Sequence, residues 1–209
     1  MVKVKICGIT KTEEIMYLNK YKPDYMGFIF AKKSSRYISA KKAQELGGII
    51  DGSIGKVGVF VNEKVDVLTH CLKLCRLDVL QLHGDESLDY IEKLKALING
   101  SIRIWKVLRV RDHSWKQKRA LYKCADRILL DTWSPDSYGG TGKKFDIELL
   151  DGINCSNIII AGGLEADNVK EVINAAGPYG VDVSSGVETN GVKDLKKIKQ
   201  FVDAVRETE

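Results

Sequence analysis

The chain reads as an α/β protein, a single-domain (β/α)8 TIM barrel over residues 1–209, on three observations. Short apolar, β-branched runs alternate with helical periodicities eight times. The runs are continuously apolar rather than alternating, as in strands covered on both faces. The last two stop abruptly in small residues: Ile158-Ile159-Ile160-Ala161-Gly162-Gly163-Leu164 and Val181-Asp182-Val183-Ser184-Ser185-Gly186-Val187-Glu188. Such alternation signals a parallel sheet with right-handed crossovers. An open doubly wound sheet fits the same pattern, but eight units ending in two small-residue turns favour the closed barrel.

The elements follow in order. A strand over 2–7 leads to a helix over 12–20, with Thr10-Lys11-Thr12-Glu13 as its capping signal. The second unit is a strand over 25–31 and a helix over 40–48, with Ser39 in capping position. Strands over 56–61 and 79–83 precede helices over 64–75 and 87–98. The fifth and sixth strands, 102–108 and 127–131, are followed by helices over 115–123 and 147–152. Strands over 157–161 and 180–183 with helices over 165–175 and 192–205 complete the set. The one long connection, 132–144, is rich in glycine, and a loop of that length in a short barrel suggests function.

A net charge of +5, 44% hydrophobic and 29% charged residues describe an ordinary globular protein with a mild basic excess. The excess suits an anionic substrate. Its lysines are scattered rather than striped, which argues against nucleic-acid binding. Neither a secretory signal nor an apolar run of roughly 20 residues is visible, so a cytoplasmic protein without membrane contact is expected. The five cysteines (Cys7, Cys71, Cys75, Cys124, Cys155) read as reduced thiols. Cys71 and Cys75 lack the further ligands a metal site needs, so they read as helix-face residues. Oligomeric state, monomer or homodimer, is not readable.

Glycine turns leading into helix starts present backbone N–H groups to anions. Two in succession match the phosphate cup of barrel enzymes after strands seven and eight. Gly162, Gly163, Ser184, Ser185 and Gly186 are therefore expected around the phosphate of a small metabolite. Catalytic groups in barrels lie at the C-terminal ends of strands. Cys7, followed by a glycine that leaves room for a ligand, closes the first strand. Asp131 closes the sixth and Asp182 interrupts the eighth. A buried carboxylate is costly without a partner or a task. Gln81 and His83 end the fourth strand at alternate positions and share a face; a core amide and a solvated loop histidine are equally open readings. Arg36, in the loop after the second strand, offers a fork for a carboxylate.

Lys5-Ile6-Cys7-Gly8-Ile9-Thr10, Gly27-Phe28-Ile29-Phe30 with Ser34-Ser35-Arg36-Tyr37-Ile38, Val57-Gly58-Val59-Phe60-Val61-Asn62, Leu80-Gln81-Leu82-His83-Gly84-Asp85-Glu86, Leu130-Asp131 with Gly139-Gly140-Thr141-Gly142, and the two terminal turns stand in one register. Together they closely resemble the phosphoribosylanthranilate isomerases, barrel enzymes of tryptophan biosynthesis. The resemblance implies an Amadori rearrangement with no metal or other cofactor. It implies Asp131 as general acid, Cys7 as general base, Arg36 on the anthranilate carboxylate and Asp182 on a ribose hydroxyl. It also implies Gly140, Thr141 and Gly142 in a loop covering the site. A sister aminoaldose isomerase would carry an aspartate where Cys7 stands, and a metal-dependent epimerase would need more histidines than His83. A non-catalytic phosphometabolite-binding barrel would be expected to have lost Cys7 or Asp131.

Overall fold

The computed structural model describes residues 1–98, 100, 102–132 and 145–208. Its elements run β1 (Lys3–Cys7), α1 (Thr12–Tyr21), β2 (Tyr25–Ile29), α2 (Ala40–Gly47), β3 (Gly55–Phe60), α3 (Val65–Cys75), β4 (Val79–Leu82), α4 (Leu88–Leu97) and β5 (Arg103–Val110). They continue with α5 (Trp115–Leu121), β6 (Arg127–Thr132), a 3-10 turn (Ile147–Leu150), β7 (Ile158–Ala161), α6 (Val169–Ala176) and β8 (Gly180–Val183). The chain ends with a second 3-10 turn (Ser185–Val187), the short strands β9 (Glu188–Thr189) and β10 (Val192–Lys193), and α7 (Leu195–Arg206). Strands β1 to β8 pair in chain order, all parallel, and β8 returns to β1, so the barrel sheet has no free edge.

Alternation along each strand sends one set of side chains inward and the other toward the helices. The inward set has its own apolar plug: Tyr25, Val57, Val79, Trp105, Val107, Leu129, Ile159 and Ala161. Trp105 is fully buried and meets Tyr25 edge-on at 4.9 Å between ring centroids. The outward set forms a larger layer with the helices, including Phe201, Val202 and Val205 of α7. Fully burying each such side chain contributes about 1.5–3 kcal/mol. Above the plug the inward positions turn polar. Lys5 and Cys7 on β1, Gln81 on β4, Arg109 on β5, Asp131 on β6 and Asp182 on β8 follow one another around the rim, with His83 just beyond β4.

Three elements differ from expectation. Among the described residues, the sixth connection carries a 3-10 turn (Ile147–Leu150) rather than a helix over 147–152. The seventh helix starts at Val169, because residues 165–168 form a turn in which Asn168 Oδ1 accepts from the Glu165 N–H. The last helix begins at Leu195, capped by Asp194, whose carboxylate accepts from the N–H groups of Lys196 and Lys197. Residues 188–193 ahead of it form a hairpin closed by Asn190 (φ 52°) and Gly191 (φ 76°), both in the left-handed region that a two-residue I′ turn requires.

Candidate active site

β1 and β8 meet at the heart of the site. The Lys5 ammonium donates to both Asp182 carboxylate oxygens at 2.9 Å, and Lys5 is only 1% exposed. Burial works against that charge, yet Asp182 and Cys7 outweigh it and hold the Lys5 pKa above its ordinary value. Burial pushes the neighbouring Cys7 thiol up; Lys5 and Lys193 pull it back and Asp182 adds to the rise. Cations thus lie beside the thiol as expected for activation, but in this state desolvation is the larger effect.

A second cluster joins the β2–α2 loop to the terminal hairpin. Arg36 grips Glu188 with two bonds, Nε to Oε1 at 2.7 Å and Nη2 to Oε2 at 2.6 Å. Lys193, opposite Glu188 in the hairpin register, donates to the same Oε1 at 2.6 Å and to the Ser184 carbonyl at 3.0 Å. Ser184 Oγ in turn donates to the Cys7 carbonyl at 3.0 Å. Against the effect of burial, Arg36 and Lys193 hold the Glu188 carboxyl below its usual range. The space that Gly8 leaves is filled by the Arg36 stem: a Cβ there would stand 2.5 Å from Arg36 Cδ.

The third group faces these from β4 and β6. His83 Nε2 lies 3.3 Å from Asp131 Oδ2, and Gln81 Nε2 lies 3.5 Å from His83 Nδ1. Gln81 Oε1 and His83 Nε2 are buried without a well-formed hydrogen bond. The turn carrying His83 is pinned from behind. The buried Lys106 ammonium on β5 donates to the Gly84 carbonyl at 2.7 Å and to Glu86 at 2.9 Å. Glu86 accepts from the Gly84 and Asn62 N–H groups.

The turns after β7 and β8 pack on each other. A Cβ on Gly186 would sit 1.9 Å from the Leu164 carbonyl oxygen. The missing side chain therefore serves this loop-on-loop contact, rather than leaving open space on that side for an anion. A three-residue 3-10 turn, Ser185–Val187, follows Ser184.

A family model described as N-(5'phosphoribosyl)anthranilate (PRA) isomerase matches residues 4–204. The chain belongs to the phosphoribosylanthranilate isomerase family. Among relatives named N-(5'-phosphoribosyl)anthranilate isomerase, that of a Thermoanaerobacter species is 47% identical over 207 residues, covering 99% of this chain and 98% of its own. That of Clostridium acetobutylicum is 46% identical, with the same coverage. The Thermotoga maritima isomerase structure superposes with a TM-score of 0.86 at 34% identity, covering 99% of this chain and all of that one. A phosphoribosyl anthranilate isomerase solved in complex with reduced 1-(o-carboxyphenylamino)-1-deoxyribulose 5-phosphate gives 0.85 at 32% identity, with like coverage. A structure described as native KDPGal, at 14% identity and a TM-score of 0.64, shares the fold alone.

In this member of the isomerase family, Cys7, Arg36, Gln81, His83, Asp131, Asp182 and Ser184 lie at one rim. Gly162, Gly163, Ser185 and Gly186 lie in the two turns beside them. Gly140, Thr141 and Gly142 lie outside the described residues. Sequence reasoning missed three charged residues at the centre: Lys5, Glu188 and Lys193. Lys5 and Glu188 stood inside the quoted motifs without a role. The Asn190-Gly191 pair was the available signal for the hairpin that sets Lys193 opposite Glu188.

Proposed function

We propose that the chain isomerises N-(5-phosphoribosyl)anthranilate to 1-(2-carboxyphenylamino)-1-deoxyribulose 5-phosphate, in the cytoplasm and within one domain. Asp131 donates a proton to the furanose ring oxygen as the C1′–O bond breaks, and the nitrogen lone pair forms an iminium. That acidifies C2′–H, and the Cys7 thiolate takes the proton. The resulting enolamine passes its O2′ proton to C1′ overall, leaving the ketone. Cys7 then releases a proton and Asp131 regains one, so no redox partner is consumed.

The supporting observation is the rim itself. A thiol on β1 and a carboxylate on β6 stand on separate strands of one closed barrel, as an acid and a base on opposite sides of a sugar must. Glu188 occupies the Nε–Nη2 edge of Arg36, so the Nη1–Nη2 edge remains for the anthranilate carboxylate. Asp182 keeps a lone pair on each oxygen for a ribose hydroxyl. Gln81 and His83 contribute unsatisfied polar atoms beside Asp131. The turns holding Gly162, Gly163, Ser184, Ser185 and Gly186 receive the phosphate through backbone N–H groups. The test is turnover of freshly prepared phosphoribosylanthranilate, followed by loss of its fluorescence; a purified, folded chain with no turnover would refute the assignment.

A further inference from the structure

An inward-facing lysine on a barrel strand has a cost. Taking an ammonium and a carboxylate out of water is unfavourable by several kcal/mol per ion, and a pair of apolar side chains would close the same space with no such penalty. Lys5 nonetheless sits at 1% exposure with Asp182 on both of its oxygens. Its other neighbour is the thiol: a Cβ built on Gly27 would stand 2.7 Å from Cys7 Sγ and 3.3 Å from Lys5 Nζ. Both atoms therefore fill the one space that the absent Gly27 side chain leaves, with Gly27 directly opposite Cys7 in the β1–β2 register.

We propose that Lys5 is a positioning residue for the base: its ammonium, clamped by Asp182, is the fixed counter-charge against which Cys7 carries its thiolate. The inference rests on the reading of Cys7 as the base. Lys5 does not receive the substrate proton, which goes from C2′ to Cys7 Sγ. The charged groups around the thiol come from four elements: Lys5 on β1, Asp182 on β8, Lys193 on β10 and Arg36 in the β2–α2 loop. Glu188 lies behind the last two. Three cations thus face two carboxylates, and a thiolate brings the cluster to neutrality. Asp182 has a double effect, because it orients Lys5 while opposing the thiolate directly.

The test is the pH dependence of Cys7 alkylation by iodoacetamide, read by mass on the peptide that contains Cys7. It compares wild type with K5M, K5R, D182N and the double variant K5M/D182N, in which no buried charge is left unpaired if K5M alone folds poorly. The alkylation midpoint is expected to rise by about 1–3 pH units in K5M, the range for loss of a charge at close quarters, and by less in the double variant, where loss of the opposing Asp182 charge offsets part of the rise. It should stay near wild type in K5R and fall in D182N. The acid limb of kcat/KM should move with it. A double variant that titrates like D182N, or K5M and D182N shifting in the same direction, would overturn the role of Lys5. Undiminished turnover in C7S would instead remove Cys7 as the base, and the alkylation curves would still decide whether Lys5 governs the thiol.

Discussion

Replacing Cys7 by serine changes one atom and removes the readily ionised group at the end of β1. The hydroxyl does not ionise near neutrality, so C7S is expected to lose about 10²–10⁴ in kcat, the usual range for a lost general base. Affinity for a product-like ligand should be retained, measurable by titration calorimetry. Asp131→Asn should lower kcat with little change in KM, because an amide cannot protonate the ring oxygen and the interaction belongs to the transition state. A rise in KM alone would make Asp131 a binding residue. Both residues were legible in the sequence because each ends an apolar run where a polar group needs a reason. Lys5 was not, since a lysine in mid-strand between Val4 and Ile6 carries no local sign of what it faces; only the closed ring shows that its neighbour is Asp182.

The β9–β10 hairpin is a six-residue clasp. It supplies Glu188 to Arg36 and Lys193 to Ser184, and the Asn190-Gly191 turn makes the two side chains register partners. Glu188→Gln leaves Lys193 buried without its counter-ion, at a cost on the order of 3 kcal/mol. KM should rise as Arg36 loosens while kcat changes little, visible in steady-state kinetics. The pH sign follows from the depressed Glu188 carboxyl. Its stabilisation is fully present above the ordinary carboxylate range and is lost as pH falls below it through the folded value. The variant's melting temperature should accordingly fall less steeply with acid than that of wild type. The seven α-helices among the described residues and the eight barrel strands were readable because 3.6-residue and continuous-apolar patterns are strong over such lengths. The second strand of the hairpin was absorbed into the expected helix over 192–205 because two-residue strands leave no periodicity, and only the turn chemistry marks the hairpin.

Barrel closure brings the phosphate turns, the base and the carboxylate fork to one end of the molecule, under a net charge of +5 that favours anions. Inorganic phosphate should inhibit competitively and raise the melting temperature; at 100 times its Kd the stabilisation is about 2.7 kcal/mol. C7S should respond equally, since the thiol is not needed to hold phosphate; no response in either protein would place the phosphate elsewhere. Gly186→Val is expected to cost stability of its own, because the Leu164 carbonyl already occupies the Cβ position. At this scale the topology was legible from eight repeats, while the loop-on-loop fit was not, because no local pattern records which backbone a glycine abuts. The Lys5–Asp182 pair also has a history within each molecule's lifetime. Its two members are 177 residues apart in the chain, a gap of roughly 10–35 s at the usual rate of synthesis. Through that interval the nascent protein has its thiol and its lysine but neither the clamp nor the seam that seals them from water. The site is therefore completed only once β8 has left the ribosome, so a product interrupted before that strand carries the base without the surroundings that make it selective.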